Sequence, residues 1–300
     1  MRSDTLDDYR ERILRVLIHI QGHLDEALDL EHLARIAHFS PYHFHRVFSG
    51  MVGESVMEHI RRLRLERAAL RLKFSDEPIT RLAFETGYET HEAFTRAFRA
   101  MFGETPSGFR QIHRSVPYPK APSDVHFSPD GRVDHFTVAD AGGLPMEARV
   151  ERIQPFSVAF VRHVGPYGEV VVAWGKLCAW AGPRGLLRPD TSFIGLCHDD
   201  PEVTPPDKVR YDACIRIDQR LQPEGEIGIQ TVVGGEYAVT THHGPYDRLG
   251  QTYAKLCGQW LPEHGYEARS APGFEIYRNN PRITPAEDLL TDVHVPVEAR

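Results

Sequence analysis

Apolar residues in the first third of the chain recur every three to four positions. Beyond residue 147, short β-branched runs alternate with helical stretches. The first spacing predicts helices, the second a mixture of strands and helices. Ile13, Val16, Leu17, Ile20 and Leu24 mark one face of a first helix, and Asp29 is placed to cap a second carrying Leu30, Leu33 and Ala37. A tight turn through His38 and Phe39 leads to Ser40-Pro41, a cap followed by proline at the first helical position. From there Phe44, Val47 and Phe48 point inward and leave Tyr42, His43, His45 and Arg46 on the outer face. The design recurs: Ile79, Leu82 and Ala83 open a short helix, Gly87 supplies the turn and Thr90 caps the next helix. There Phe94, Ala97 and Phe98 face inward and His91, Glu92, Thr95 and Arg96 outward. Residues 55–74 predict one continuous helix between the copies, with Val56, Ile60, Leu63, Leu70 and Phe74 along its seam.

Two helices joined by a short turn, the second presenting polar residues, form a helix-turn-helix. The duplication is visible in identities: Phe44, Arg46, Phe48, Met51, Gly53 and Glu54 recur 50 residues later as Phe94, Arg96, Phe98, Met101, Gly103 and Glu104. A 20-residue connecting helix spans roughly 30 Å, close to the about 34 Å of one duplex turn. That length suits two probes in successive major grooves. The C-terminal part is duplicated too. His163, Gly165, Pro166 and Tyr167 recur as His242, Gly244, Pro245 and Tyr246, and Pro201, Thr204, Pro205 and Asp212 as Pro281, Thr284, Pro285 and Asp292. Each copy reads strand, strand, helix, strand, strand. In the second copy Gly235–His243 is a strand, Pro245 opens a helix through Leu261, and Gly273–Tyr277 and Leu290–Val297 are the remaining strands. The fold class is therefore multidomain: an all-α N-terminal domain with two helix-turn-helix units, then an α+β domain of two duplicated units.

Pro117, Pro119, Pro122 and Pro129 fall in a stretch without apolar periodicity, which reads as a linker. The divisions are thus 1–113, a connector at 114–146, and 147–300. The net charge of −7 argues against nucleic acid until its distribution is considered. Residues 1–114 hold 17 basic and 17 acidic side chains, so the excess of acid lies entirely after them. Segment 40–73 is locally basic, with Arg46, Arg61, Arg62, Arg64, Arg67, Arg71 and Lys73. The four cysteines are far apart and read as small buried residues in a reducing compartment. No signal peptide or membrane-length apolar run is present, so a cytoplasmic location is expected. His43 and His45 diverge on a helix, and neither a metal nor a cofactor is expected.

Residues 8–113 resemble the DNA-binding domain of the AraC/XylS family, including the closing segment Phe98, Phe102-Gly103, Pro106 and Phe109-Arg110. The resemblance implies that the outward residues of both second helices contact bases of double-stranded DNA: Tyr42, His45 and Arg46 in one copy, His91, Glu92, Thr95 and Arg96 in the other. Arginine donates in a bidentate manner to guanine, which singles out Arg46 and Arg96. Residues 147–300 resemble the GyrI-like (SHS2-repeat) effector-binding domain, through HVGPY and HHGPY, the FEIY strand followed by Asn279-Asn280-Pro281, and the closing TDVHVPV. The combination resembles the Rob-like regulators. It implies a small-molecule effector, with RNA polymerase as a further candidate partner.

The same resemblance places an acidic pocket residue at Glu275. Strand alternation puts Gly273, Glu275 and Tyr277 on one face and Phe274 and Ile276 on the other. A carboxylate beside aromatic rings suits lipophilic cations. Trp174, Tyr253 and Trp260 are candidate walls of that pocket, or core residues by their helical spacing, while Tyr167 and Tyr246 are expected to lock the strand-to-helix corners. Two other readings stand beside sensing: hydrolysis of a small reactive molecule with Glu275 as general base, or capture of a protein partner. No Ser-His-Asp, phosphate-loop or HExxH motif supports another enzyme class, so no catalytic residue is assigned.

Overall fold

Local capping chemistry sets most helix boundaries in the N-terminal part. The helices are α1 (Arg2–Gly22), α2 (Leu30–Ile36), α3 (Pro41–Val52), α4 (Val56–Phe74), α5 (Ile79–Glu85), α6 (His91–Phe102) and α7 (Pro106–Gln111) in a computed structural model that describes residues 2–111, 118–139 and 146–300. The Asp29 carboxylate accepts the His32 amide at 2.7 Å, and Thr90 accepts that of Ala93 at 3.1 Å. Ser55 and Glu58 cap α4 reciprocally. After α2 the chain turns through His38 at φ 55°, and after α5 through Gly87 at φ 82°. In both turns the next amide returns to the carbonyl five residues back, Phe39 to Ala34 and Tyr88 to Ala83. The two helix-turn-helix corners are thus the same motif, built once on glycine and once on a strained histidine.

Contacts divide the chain into two units: Asp8–Phe39 with Phe48–Gly142, and Met1–Asp7 with Ser40–Val47 and Gly143–Arg300. In the first, Leu65, Ala68, Ala69 and Leu72 of α4 pack with Leu82, Phe94, Phe98 and Phe109. Helix α4 is buried around most of its circumference, so the expected seam is too narrow; it also ends early, since Phe74 at the last position is 84% exposed.

The proline-rich stretch is not a loose tether. Residues 118–139 have no regular secondary structure, yet Ser123, Val125 and Ala139 are buried. Arg62 donates to the Val125 carbonyl at 2.9 Å, Gln21 to that of His126 at 2.6 Å, and the Phe127 amide to Glu66 at 2.7 Å. Gly53, at φ 79°, allows Pro122 and Ala139 to approach where a Cβ would stand 2.6 Å from each. Proline content signals absence of secondary structure, and polar anchors from helices far along the chain then order the backbone. The expected connector's residues 114–117 and 140–145 lie outside the described residues.

The second unit holds an antiparallel sheet of β1 (Ala148–Ile153), β2 (Phe156–Val164), β3 (Phe193–Cys197), β4 (Arg210–Ile217), β5 (Gly228–Val232), β6 (Gly235–His243), β7 (Tyr266–Ala268), β8 (Gly273–Tyr277) and β9 (Leu290–Ala299). The order is β1-β6-β9-β8-β3-β4-β2-β5, with β7 added beside β9. Read from either end, this order visits equivalent strands of the two copies. The first strand of each copy pairs with the second strand of the other, β1 with β6 and β5 with β2. At the centre β3 meets β8, with Gly195 opposite Glu275. Helix α8 (Val171–Ala181) lays Ala173, Leu177 and Ala181 on Val161, Tyr211, Ala213 and Ile215. The opposite face buries Val158, Ile194, Cys214, Tyr237, Val239 and Phe274. The helix expected from Pro245 begins later. Pro245 is extended, a 3₁₀ turn intervenes, and α9 (Leu249–Lys255) runs into a π turn at Leu256–Trp260.

Candidate functional site

The two second helices present their polar residues differently. On α6, Glu92 and Arg96 are exposed, while His91 and Thr95 are half-buried, with the Thr95 hydroxyl oxygen shielded from solvent. Arg99, also exposed, stands three residues beyond Arg96 on the same face.

On α3 the expected outward face is covered. Arg46 and His45 are each only 6% exposed and Tyr42 is half-buried. The Arg46 guanidinium lies 4.1 Å from the ring centre of Tyr42 and 3.7 Å from that of Tyr253, with Nε 3.5 Å from an Asp200 oxygen. The Cys257 thiol lies close enough to feel this positive charge. Burial works against the Arg46 charge, and of these neighbours Asp200 is the formally charged group that opposes that cost. His45 sits between Asp200, at 3.4 Å, and Glu202, at 3.3 Å. The expectation that Tyr42, His45 and Arg46 face solvent is thus corrected. Periodicity separates polar from apolar faces, yet a polar face opposite aromatic and acidic side chains looks the same in sequence as one in water.

The basic run of residues 40–73 is likewise not a solvent-facing stripe. Arg62 is buried between Glu54 and Glu66, Arg64 donates to the carbonyls of Leu24 and Glu26, and Arg67 and Arg71 pair with Asp25, Glu77 and Glu85. Of these arginines, Arg61 remains exposed.

Glu275 is 5% exposed and fully engaged. Tyr253 donates to one carboxylate oxygen at 3.1 Å and Tyr277 to the other at 2.7 Å; Cys197 approaches the first at 3.5 Å. The Tyr211 hydroxyl reaches that of Tyr277 at 2.9 Å. Burial, then the neighbouring Glu275 charge, pushes the hydroxyls of Tyr211, Tyr253 and Tyr277 well above the usual tyrosine range, which keeps them as donors. Around Tyr277 stand Trp174 at 5.8 Å and Tyr246 at 5.4 Å, ring centre to ring centre. Of the residues proposed from sequence, Trp174, Tyr253, Glu275 and Tyr277 therefore converge, whereas Trp260 stacks on His264 and Tyr266 instead. Tyr211 and Cys197 join them unforeseen, because their contact depends on which strands are neighbours.

Both parts of the chain match known protein domains. Residues 146–298 match the GyrI-like small molecule binding domain, half of the chain, and residues 33–112 match a helix-turn-helix domain. The chain belongs to the GyrI-like family. It joins an AraC-type helix-turn-helix domain to its GyrI-like domain. Right origin-binding protein of Escherichia coli (strain K12) is 34% identical over 96 residues, 32% of this chain and 33% of that protein. The chain thus aligns with about a third of that relative's length. Probable transcriptional regulator YgiV of the same strain is 32% identical over 125 residues, covering 41% of this chain and 78% of YgiV. Among solved structures, the EcmrR–DNA complex superposes with a TM-score of 0.42 at 22% identity, over 51% of this chain and 58% of that one. Among the described residues no helix is long and apolar enough to cross a membrane.

Proposed function

We propose that this chain is a DNA-binding transcription regulator of the AraC type whose GyrI-like part binds a small lipophilic cation. In this reading residues 1–113 carry the DNA-reading helices, 114–146 connect, 147–300 bind the effector, and the protein works in the cytoplasm, with RNA polymerase as a further partner. The observation that carries the effector class is Glu275, a carboxylate held inside a cluster of tyrosine and tryptophan rings. A carboxylate among π faces favours a cation that sheds water easily. A general base has to accept and release a proton. Both Glu275 oxygens already accept tyrosine hydroxyls, which favours a fixed counter-charge over the hydrolase reading.

Titration of the full chain with benzyltrimethylammonium and with its neutral isostere neopentylbenzene tests this assignment. The cation is expected to bind, and Glu275→Gln to weaken it by more than about tenfold while barely affecting the isostere. Equal affinity of both probes for both proteins refutes it. On the DNA side, His91, Glu92, Thr95 and Arg96 of α6 are the proposed base-facing set, joined by Tyr42, His45 and Arg46 of α3 once the contacts that bury them are released. Arg96→Ala is expected to cost roughly 1–3 kcal/mol on a site selected from random DNA and to spare nonspecific DNA. Equal loss on both DNAs in a mobility-shift titration refutes that role.

A further inference from the structure

Tyr253 is used twice. Its hydroxyl donates to Glu275, and its ring face carries the guanidinium of Arg46. Cys257, just beyond the end of α9, places its thiol close enough to feel that guanidinium, and Asp200 supplies the negative charge. We propose that Tyr253, Cys257 and Asp200 form a guanidinium subsite beside Glu275, filled in the resting chain by its own Arg46, so that α3 is withheld from DNA until a cationic effector displaces it.

The Asp200 charge is not required by the local backbone. Asp200 closes a turn in which its carbonyl accepts the amides of Val203 and Thr204, and its carboxylate accepts the Glu202 amide at 3.1 Å. In the second copy Asn280 builds the same turn with a neutral amide: its carbonyl accepts Ile283 and Thr284, and its side chain accepts Arg282 at 3.0 Å. The carboxylate at position 200 is therefore surplus to the turn and serves Arg46 and His45. The contact is also imperfect, because the Tyr42 hydroxyl oxygen is buried without a hydrogen-bond partner among the described residues. Such an orphan costs free energy that leaving the site recovers. A tethered arginine competes as a ligand at high effective concentration, so weak contacts suffice to hold it until a cation accumulates.

The proposal rests on reading α3 as DNA-contacting and Glu275 as a cation site, and two arms separate these premises. First, full-chain Asp200→Asn and Asp200→Lys are compared with wild type on a DNA site selected by the wild type. Both are expected to bind about tenfold more tightly, the gain for a reader free about one-tenth of the time. Asn280 shows that the neutral variant keeps its turn, so unchanged affinity in both variants overturns withholding. Second, benzyltrimethylammonium is titrated into wild type and Arg46→Ala. Tighter binding by the variant, again about tenfold, supports competition. Equal or weaker binding by the variant overturns competition alone, whereas no binding to either protein overturns the cation site and competition with it.

Discussion

Gly195 and Glu275 occupy equivalent positions, 80 residues apart, and face each other across the centre of the sheet. The duplication thus breaks its own symmetry at the proposed ligand site. Glutamate in one copy supplies the carboxyl group, and glycine in the other leaves space for Tyr211 and Tyr277. A Cβ on Gly195 would stand 2.6 Å from the hydroxyls of both Tyr211 and Tyr277. Gly195→Ala is therefore expected to push Tyr277 off Glu275, cost about 1–3 kcal/mol through overpacking, and weaken benzyltrimethylammonium binding. Calorimetric titration beside urea unfolding checks both effects; an alanine variant with wild-type affinity contradicts this use of the glycine. Glu275 itself was legible in the chain because strand alternation and motif agree there. Gly195, Tyr211 and Cys197 were not, since their role depends on β3 lying between β8 and β4, which no local pattern encodes.

At the scale of elements, strong local signals carried through and long-range ones did not. Asp29 and Thr90 start their helices as their side chains dictate, and Gly235–His243 and Gly273–Tyr277 form strands with the expected ends. The segment from 118 to 139 escaped notice, because its order comes from charged residues of α4 that read as a surface stripe. Arg62 pairs with Glu66 at 2.8 Å, both nearly inaccessible, and Glu66 also takes the Phe127 amide and His126. Glu66→Gln leaves Arg62 still paired with Glu54, so it is expected to cost about 1–3 kcal/mol. Arg62→Met strips the guanidinium from both carboxylates at once and is expected to cost more, about 3–5 kcal/mol. Urea midpoints of the two variants decide this, and an Arg62→Met variant as stable as Glu66→Gln argues that Arg62 does not hold both carboxylates. The α3 outcome belongs to the same scale: its amphipathic pattern was read correctly, but the partner of its polar face was not.

Across the molecule, each unit holds a shielded carboxylate, Glu54 in one and Asp212 in the other, whose charge is maintained by hydrogen bonds. Burial raises Glu54, but His59 and Arg62 overcome it and hold the group down to about 2, from an ordinary 4.5. Burial likewise raises Asp212, while Arg162, His198 and Gln230 hold it to about 2, from 3.8. Both titrate lower folded than unfolded, so as pH falls the unfolded chain takes up these protons first. Their stabilisation is complete above about pH 4.5 and disappears toward pH 2. The three tryptophans, Trp174, Trp180 and Trp260, all lie in the unit that contains Asp212, so their emission reads that unit, and far-UV ellipticity at helical wavelengths is weighted to the other. Asp212→Asn is expected to lower the tryptophan-detected urea midpoint at pH 7, with the gap to wild type closing between pH 4 and 2. Glu54→Gln is expected to do the same in the helical signal, beginning nearer pH 4.5. Gaps that stay constant down to pH 2 are incompatible with ionised carboxylates at these positions. Closing gaps place the acid sensitivity of both units on two named side chains, which gives DNA and cation titrations at pH 5 to 8 a window in which neither network changes charge through its carboxylate.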